Sequence, residues 1–449
     1  MKLSFHGAVG GVTGSRHLLE HDGHRILLEC GLFQGRRHES FRLNRHFGFA
    51  PESLHAVVLS HAHIDHLGAL PALVRAGFSG PVYATPATAD LAELMLLDSA
   101  HIQERDIEIV NRREGGRLEP VYTTEDARAA ARLLRPVPYW KTTEVADGLR
   151  VTFHDAGHIL GSSIVRVEAG RRTLLFSGDL GRDVLPILRS PELLTGAETV
   201  IVESTYGDRD HPPEPDEERE LERIVLRVAG RGGKLIIPAF AVGRTQHLTY
   251  RLRRLAGRLP DLPIFVDSPL AADATEIYRR HPECHEPGTW KDGDPFGLGL
   301  LRYVRAVEES KKLNELTGPA IIIAASGMCE HGRILHHLAH HGPDPRNAIL
   351  FVGYQAEHTL GRRLLEGRRQ VRVLGRDLHV AAEILRMDGL SAHADRGGLR
   401  DFVRATARTL RRAFVVHGEP VPARALADWI REATGAQTIL PVLGESVEW

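Results

Sequence analysis

Four side chains that can bind a metal ion stand within six positions of the segment LSHAHIDHLGAL, residues 59–70. His61, His63, Asp65 and His66 follow an apolar run, AVVL, that predicts a buried strand. Neutral imidazoles together with a carboxylate are the ligands that borderline cations such as zinc prefer. Because a turn can direct His61 and His63 to one side and Asp65 and His66 to the other, the pattern indicates two adjacent metal ions. Four surface residues at the start of a helix are the alternative interpretation.

One such turn cannot fill two coordination shells, so further ligands should follow later strands. His158 in DAGHILGS, Asp179 in FSGDLG and His417 in VVHGE meet this requirement. Each follows an apolar run and has a glycine beside it, which lets the backbone turn sharply and the side chain reach inward. Any one of them alone would be explained more simply as a structural residue at the start of a loop. Together with the first motif, they predict a dinuclear metal centre.

Short apolar and β-branched runs recur along the chain, and many end in a polar cluster, as in TVIVEST, KLIIPAF, AIIIAAS and AFVVHGE. Each run predicts a buried strand whose last residues face a loop. Amphipathic helices are predicted between the strands at residues 88–110, 216–229, 243–255 and 421–434. The fold class is therefore α/β with covered sheets, in which chemistry collects at the carboxyl ends of the strands.

The composition excludes several classes of protein. The 449 residues carry a formal net charge of -1, from 57 Lys+Arg and 58 Asp+Glu, so no global basic field indicates nucleic acid, although a local patch can still bind it. Cys30, Cys284 and Cys329 lie far apart without a CxxC pair, so neither a disulfide framework nor a thiolate metal site is expected. No apolar run reaches the roughly 18 residues of a membrane span, and no signal-peptide core follows Met1. We expect a cytoplasmic protein without a membrane segment.

The ordered set of motifs resembles the metallo-β-lactamase superfold and, within it, the β-CASP nucleases, which include bacterial ribonuclease J and the cleavage and polyadenylation endonuclease subunit. Glu203 in VESTYGDR matches the acidic residue that this group has after a later strand, and His393 in GLSAHAD matches its later histidine. The segments IPAFAVGRTQ, ASGMCEHGRILHHL and VGYQAEHTLGR are similar to those of the bacterial members. The resemblance spans nearly the whole chain.

This resemblance implies an αββα metallo-β-lactamase sandwich with an inserted α/β β-CASP domain. Residues 1–207 would form the first part of the sandwich, residues 208–370 the insertion, and residues 371–449 the C-terminal part of the sandwich. The return of the chain would bring His417 beside the ligands of the first half.

The resemblance also implies two zinc ions per chain. The ligands of one ion would be His61, His63 and His158, and those of the other would be Asp65, His66 and His417. Asp179 would bridge the two ions. A hydroxide that bridges the two ions would attack the phosphorus of the substrate. The implied catalytic residues are Asp65, Glu203 and His393, with His393 as the general acid and Glu203 bound to its far nitrogen. Without the resemblance, a buried structural histidine explains His393 equally well.

Four residues that follow apolar strands are candidates for binding substrate phosphates through backbone amides or a guanidinium. They are Arg244 in AVGRTQ, Ser326 and Gly327 in ASGMCEHGR, and Tyr354 in GYQ. Two other positions depart from the family pattern. Glu29 stands where an aspartate usually supports the ligand turn, so its extra methylene is expected to loosen the metal site. His358 stands where many relatives have glycine.

The predicted function is a zinc-dependent ribonuclease that hydrolyses RNA phosphodiester bonds, and a homodimer is a further expectation. The preference for RNA over DNA comes from the resemblance at His417, and the sequence does not distinguish endonuclease from 5′-exonuclease action. The alternatives are a DNA nuclease, a hydrolase of a small ester, thioester or lactam, and an inactive RNA-binding partner of another subunit. The roughly 160 residues of the implied insertion argue against a small substrate, and retention of every ligand argues against an inactive protein.

Overall fold

The apolar runs of the sequence form the strands of the fold. The structure, a computed structural model, describes residues 1–35, 37–183, 187–212, 214–353, 355, 358–387 and 391–449. Its strands are β1 (Lys2–Phe5), β2 (His17–His21), β3 (His24–Leu28), β4 (Ala56–Val58), β5 (Val82–Ala84), β6 (Leu134–Pro136), β7 (Thr143–Ala146), β8 (Leu149–Asp155), β9 (Ser163–Ala169), β10 (Arg172–Phe176), β11 (Thr199–Val202), β12 (Lys234–Pro238), β13 (Ile264–Asp267), β14 (Leu301–Tyr303), β15 (Ala320–Ala324), β16 (Ala348–Phe351), β17 (Gln370–Val373), β18 (Arg376–His379), β19 (Glu383–Arg386), β20 (Arg412–Val415), β21 (Gln437–Ile439) and β22 (Ser446–Glu448).

The helices are α1 (Arg37–Asn44), α2 (Ile64–Leu67), α3 (Leu70–Arg75), α4 (Pro86–Glu114), α5 (Thr124–Ala131), α6 (Glu214–Gly230), α7 (Arg244–Leu255), α8 (Pro269–Arg280), α9 (Val307–Leu313), α10 (Ile334–His341), α11 (Leu360–Leu365), α12 (Arg396–Thr406) and α13 (Pro420–Thr434). Side chains cap the first turn of five helices, α4, α5, α8, α11 and α12, in the part of the chain that the structure describes. At the start of α4, for example, the Thr85 side chain accepts a hydrogen bond from Thr88 N, and Gly115 ends the helix in the left-handed conformation. The four predicted helices are confirmed as α4, α6, α7 and α13, with ends that differ by a few residues.

Backbone contacts divide the chain into two compact units. The first unit comprises Met1–Asp210 and His393–Trp449, and the second comprises His211–Ala392. The first unit contains two seven-stranded sheets, in the strand orders β22-β1-β2-β3-β4-β5-β6 and β21-β20-β11-β10-β9-β8-β7. The two halves of the chain are joined in both sheets, because β1 pairs with β22 and β11 pairs with β20.

Aromatic side chains pack between the two sheets of the first unit. Phe5 of β1 lies 5.1 Å from Phe414 of β20, and His17 of β2 lies 5.7 Å from Phe176 of β10, measured between ring centroids. On the outer face of the second sheet, the apolar sides of α12 and α13 pack against β11 and β20. Helices α3, α4 and α5 pack together beside the first sheet, with α4 against β6. These layers form the αββα sandwich that the sequence predicted.

The second unit is built on a parallel six-stranded sheet in the order β14-β13-β15-β12-β16-β19. Such a sheet needs apolar residues on both faces, and β12, β15 and β16 are buried along their whole length. Separate apolar clusters cover the two faces, one with α6 and α7 and the other with α10 and α11. The small hairpin of β17 and β18 packs on the second of these clusters.

The second unit extends further along the chain than the predicted insertion of residues 208–370. The segment from residue 371 to Ala392 was assigned to the sandwich, but it belongs to the second unit. Strand β19 pairs in parallel with β16, while Val371, Val373 and Val380 are buried in the second unit's core. The first unit therefore resumes at His393, after β19 has added an edge strand to the inserted sheet.

The long helices do not resemble membrane spans. Within the part of the chain that the structure describes, no helix is both long enough and apolar enough to cross a bilayer. The predicted absence of a disulfide agrees with three buried cysteines that are free thiols.

Truncation of the Phe414 side chain, which packs between the two sheets, should destabilise the first unit. We expect Phe414→Ala to reduce the free energy of unfolding by about 3–5 kcal/mol, because a fully buried ring is lost and a cavity remains. Val421→Ala serves as the control, because this side chain is 71% exposed and its truncation should change the free energy of unfolding little. Thermal and urea unfolding followed by circular dichroism would measure both variants. Equal stability of the two would contradict the packing described here.

Candidate active site

The predicted metal ligands lie in loops that follow the strands of the first unit. His61, His63, Asp65 and His66 follow β4, and His63 immediately precedes α2. The other candidate residues come after later strands or immediately before α12: His158 after β8, Asp179 after β10, Glu203 after β11, His393 before α12, and His417 after β20. All of them belong to the first unit. The prediction that polar residues gather at the carboxyl ends of strands is therefore met.

One cluster of ligand atoms contains His61, His63, His158 and Asp179, and all four atoms lie within 4.8 Å of one another. His63 Nδ1 lies 3.1 Å from His61 Nε2 and 3.2 Å from His158 Nε2. Oδ2 of Asp179 lies 3.5 Å from His61 Nε2 and 3.6 Å from His158 Nε2. These are the four residues that the family resemblance implied for the first ion and its bridge.

A second cluster contains Asp65, His66 and His417. His417 Nε2 lies 3.2 Å from His66 Nε2 and 3.6 Å from Asp65 Oδ2. The other carboxylate oxygen of Asp179, Oδ1, lies 3.3 Å from His66 Nε2, so Asp179 faces both clusters with different oxygens. This is the geometry expected of a carboxylate shared by two cations.

The donor sets fit zinc. A tetrahedral zinc ion with bonds of about 2.0–2.1 Å separates its ligand atoms by about 3.3–3.4 Å, close to the spacings found in both clusters. Oδ1 of Asp179 is buried and receives no hydrogen bond of standard geometry among the described residues. Several imidazole nitrogens therefore converge with a buried carboxylate oxygen, an arrangement that a bound cation stabilises.

A buried glutamate fixes the orientation of two of the histidines. Glu29 accepts hydrogen bonds from Ser60 N at 2.5 Å, Ser60 Oγ at 3.1 Å and His66 Nδ1 at 2.6 Å. Because the Ser60 hydroxyl donates to Glu29, it accepts from His61 Nδ1, which lies 2.9 Å away. A proton of each ring is thus held on Nδ1, which leaves Nε2 of His61 and of His66, facing Asp179, as the nitrogen that a metal ion would bind.

The backbone accommodates the longer side chain at position 29. Glu29 has a φ of +66°, in the left-handed region that non-glycine residues seldom adopt, and its carboxylate reaches both Ser60 and His66. His358, the other expected departure from the family pattern, has a φ of +69°, in the left-handed region that glycine adopts most readily. The Glu29→Asp substitution tests the expectation that the extra methylene loosens the metal site.

Burial sets the charge of the ligands in the first cluster. It lowers the pKa of His61 well below the usual value and the pKa of His63 to about 4, so both rings are neutral at pH 7 and able to bind a metal. At His66 burial also lowers the pKa, but Asp179 and Glu29 outweigh it and raise the pKa well above the usual value. A cation bound beside His66 must therefore displace a proton.

Glu203 and His393 form a pair beside the first cluster. Glu203 Oε1 lies 3.1 Å from His393 Nδ1 and also accepts a hydrogen bond from Leu180 N at 2.8 Å. The far nitrogen of His393, Nε2, lies 3.9 Å from Asp179 Oδ2, and the side chain is 21% exposed. Burial acts to lower the pKa of His393, but the carboxylates of Glu203 and Asp179 outweigh it and raise the pKa to about 9. The pair thus holds a protonated, partly accessible imidazole next to the ligand clusters.

Two glycines allow the loops of this site to approach one another. A Cβ on Gly181 would lie 1.9 Å from Gly157 O, next to His158, and Gly181 itself forms a β-bridge with His393. A Cβ on Gly178 would lie 2.4 Å from Ser60 Oγ. Any side chain at either position would push the ligand loops apart.

Known families match most of the chain. Residues 9–239 match the Metallo-beta-lactamase superfamily, residues 245–364 match the Beta-Casp domain, and residues 377–441 match the Zn-dependent metallo-hydrolase RNA specificity domain. The chain belongs to the metallo-β-lactamase superfamily, in its β-CASP group. The predicted family, fold class and zinc-dependent hydrolase chemistry with RNA specificity are therefore confirmed.

Named relatives of this β-CASP chain agree with that assignment. Ribonuclease TTHA0252 of Thermus thermophilus is 39% identical to it over 451 residues, which cover 100% of both chains. Transcription termination factor FttA of Methanocaldococcus jannaschii is 32% identical over 98% of this chain and 70% of its own length. Among solved structures, a protein of unknown function from Enterococcus faecalis V583 aligns over 99% of both chains with a TM-score of 0.55, and its 14% identity supports the fold alone.

Three of the four phosphate candidates of the β-CASP chain lie in its described part and are not in the clusters above. Arg244, Ser326 and Gly327 lie in the second unit, and Tyr354 lies outside the described residues. The Ser326 hydroxyl accepts a hydrogen bond from Glu330 N at 3.1 Å, and a Cβ on Gly327 would lie 3.1 Å from Phe240 N. Ser326 and Gly327 thus have local structural roles, and phosphate contact remains a prediction for them and for Arg244.

Sequence reasoning missed residues that orient the ligands. Ser60 links Glu29 to His61, Ser162 Oγ accepts a hydrogen bond from His158 N at 2.9 Å, and Thr205 Oγ1 lies 3.4 Å from His417 Nδ1. Each is a hydroxyl within four positions of a predicted ligand or of Glu203. That proximity in sequence was the available signal, but serine and threonine are too common in loops to be selected by it.

Glu29 provides a direct test of how the ligand turn is supported. We expect Glu29→Ala to weaken zinc binding about 10- to 100-fold, because His61 and His66 lose the group that orients them. Glu29→Asp should also weaken it, since the shorter carboxylate no longer reaches both Ser60 and His66 from this backbone. Competition with a chromophoric chelator would measure the affinities, with the exposed Glu52→Ala as control. Tighter zinc binding by Glu29→Asp would show instead that the extra methylene loosens the site.

Proposed function

We propose that this chain hydrolyses phosphodiester bonds of RNA at a dinuclear zinc centre in the first unit. The observation that carries the proposal is the position of Asp179, whose two carboxylate oxygens face two separate groups of imidazoles at 3.3–3.6 Å. The match to an RNA specificity domain and the 39% identity to a ribonuclease support RNA as the substrate.

The proposed ligands divide between two ions. One zinc ion would be held by His61, His63 and His158. The other would be held by Asp65, His66 and His417, and Asp179 would bind both ions. Zinc bound there would supply a water of lowered pKa as the nucleophile and positive charge that offsets the charge of the phosphate. Asp65 would contribute to catalysis as a ligand that holds the second ion together with His66 and His417.

His393 is proposed as the general acid. Its Nδ1 is held by Glu203, so Nε2 points towards Asp179 and can deliver a proton to the leaving oxygen of the RNA. Glu203 is fully buried and also bound to Leu180 N and Thr205 N, so it holds the imidazole in one orientation. Glu203 is thus a positioning residue, while His393 contacts the reacting atoms.

Substrate phosphates are proposed to contact the second unit as well. Arg244 begins α7, and its guanidinium nitrogens lie 3.9 Å from the place where a Cβ on Gly353 would stand, after β16. Ser326 and Gly327 follow β15, another parallel strand of the same sheet. All three are therefore at the carboxyl edge of the inserted parallel sheet, where ligands of α/β folds bind.

Association into a homodimer stays a prediction, which light scattering would measure.

The function is tested by comparing the zinc-loaded protein with its His393→Ala variant. We expect the variant to cleave RNA about 10²- to 10⁴-fold more slowly, because the leaving oxygen departs unprotonated, while its zinc content is unchanged. The exposed His101→Ala is the matched control and should retain full activity. Substrates would be 5′-phosphorylated and 5′-hydroxyl RNAs and the same sequence as single-stranded DNA.

The products distinguish the remaining alternatives. Internal fragments would indicate an endonuclease, and mononucleotides released stepwise from the 5′ end would indicate an exonuclease. Intact RNA beside cleaved DNA, or beside a hydrolysed small ester, would contradict the proposal. Unchanged cleavage of RNA by His393→Ala would exclude the general-acid role.

The pH dependence of cleavage should report the contact between Glu203 and His393. A general acid acts only while protonated, so kcat/KM should fall as the pH rises through the pKa of His393, which the Glu203 carboxylate raises. Glu203→Gln removes that negative charge, so the falling limb should move about one to three pH units lower. Profiles of kcat/KM against pH at saturating zinc would measure the shift. A limb that stays in place, or moves to higher pH, would contradict the assignment.

A further inference from the structure

An exposed tryptophan lies in the first unit next to the end of β8. Trp140 is 53% exposed, although a tryptophan usually has most of its surface buried in a folded protein. Its φ is +61°, a conformation that a bulky residue keeps only where the surrounding contacts hold it. An aromatic ring that is both exposed and held in a rare backbone conformation is a candidate for ligand binding.

The indole of Trp140 is fixed by hydrogen bonds. Its Nε1 donates to Glu192 Oε1 at 2.7 Å, and its backbone N donates to Phe153 O at 2.9 Å. Glu192 is held in turn by Asp155 N at 2.9 Å and by His154 Nδ1 at 3.1 Å. A ring held in this way loses little conformational freedom when a ligand stacks on it.

These contacts connect Trp140 to a loop of the metal site. Asp155 is the last residue of β8, and His158 follows it by three residues, which span at most about 10 Å. The neighbouring Tyr139 donates its hydroxyl to Ser162 O at 2.9 Å, and Ser162 Oγ accepts the hydrogen bond from His158 N. Trp140 therefore belongs to the same edge of the sandwich as the ligand clusters.

A positive charge accompanies the ring. The guanidinium carbon of Arg189 lies 5.7 Å from the indole centroid, and Arg189 precedes Glu192 by three residues in the same loop. Proteins that hold single-stranded RNA combine flat aromatic rings, on which bases stack, with arginines that attract the backbone phosphates. A purely structural tryptophan would need neither this exposure nor this cation.

We propose that Trp140 is a stacking subsite for one unpaired base of the RNA substrate, next to the phosphate that is cleaved, with Arg189 beside the backbone. This inference rests on the proposed ribonuclease function and adds that the substrate is single-stranded at that base. It also implies that binding depends on the face of the base more than on its identity, because every base has a π surface.

The test uses short single-stranded RNAs in which one position at a time carries an abasic ribose. Single-turnover cleavage by the zinc-loaded protein would give the half-saturating RNA concentration for each substrate. We expect one abasic position near the cut to raise this concentration roughly 5- to 150-fold for the unaltered protein. Trp140→Leu should have a similarly raised half-saturating concentration on intact RNA. Removal of the base at that position should raise the concentration no further for this variant. Trp140→Phe, which keeps an aromatic ring, should behave nearly as the unaltered protein does.

Leu193→Ala is the control, because Leu193 is an exposed apolar residue beside Glu192. Zinc content and the thermal unfolding midpoint of every variant would establish that each is folded and loaded. An abasic profile of Trp140→Leu that matches that of the unaltered protein, with cleavage intact, would overturn the subsite alone. Failure of the unaltered, zinc-loaded protein to cleave any RNA would overturn the proposed function and the subsite together.

Discussion

The organisation of this molecule depends on the burial of one carboxylate among imidazoles. Asp179 is 2% exposed, and its oxygens lie 3.3–3.6 Å from nitrogens of His61, His66 and His158, which come from two other loops. Burial alone would raise the pKa of Asp179, but His417 and His66, with other imidazoles, hold it well below the usual value. Such a concentration of polar groups is stable in a protein interior only when charges compensate each other, and bound zinc would complete that compensation.

The sandwich satisfies this constraint through strand register. Strand β20 pairs in parallel with β11, with Val415 opposite Val202, so the residues that follow them emerge side by side. Ser204 N donates to His417 O at 3.1 Å, although more than two hundred residues separate the two positions. The second unit is inserted between these paired strands, and His393 and His417 both come after it. Candidate site residues that precede and follow the insertion in sequence, Glu203 and His417, are thus positioned by one sheet.

Much of this arrangement was predictable from the sequence, because its features are local. An apolar run followed by His61-Ala62-His63-Ile64-Asp65-His66 specifies a strand, a turn and a ligand set within a few residues. The end of the insertion was not predictable in the same way. Strand β19 joins the second unit by pairing with β16, a contact between residues about 35 positions apart, and its sequence does not identify its sheet.

The supporting groups were harder to predict for a different reason. Ser60 and Ser162 act through single hydrogen bonds whose partners are fixed only in the folded chain. Trp140 has no motif around it, and its role depends on exposure and on contacts with Glu192 and Arg189 that only the structure supplies. Sequence patterns identify the proposed metal ligands, while the residues that orient those ligands, or that are proposed to hold the substrate, depend on tertiary contacts.

The most direct test of this account is anomalous X-ray diffraction at the zinc absorption edge, from crystals of the zinc-loaded protein. The account predicts two anomalous peaks, one within bonding distance of His61, His63 and His158, the other within bonding distance of Asp65, His66 and His417. The carboxylate of Asp179 should reach both peaks. A single peak, or a second one far from His417, would contradict it.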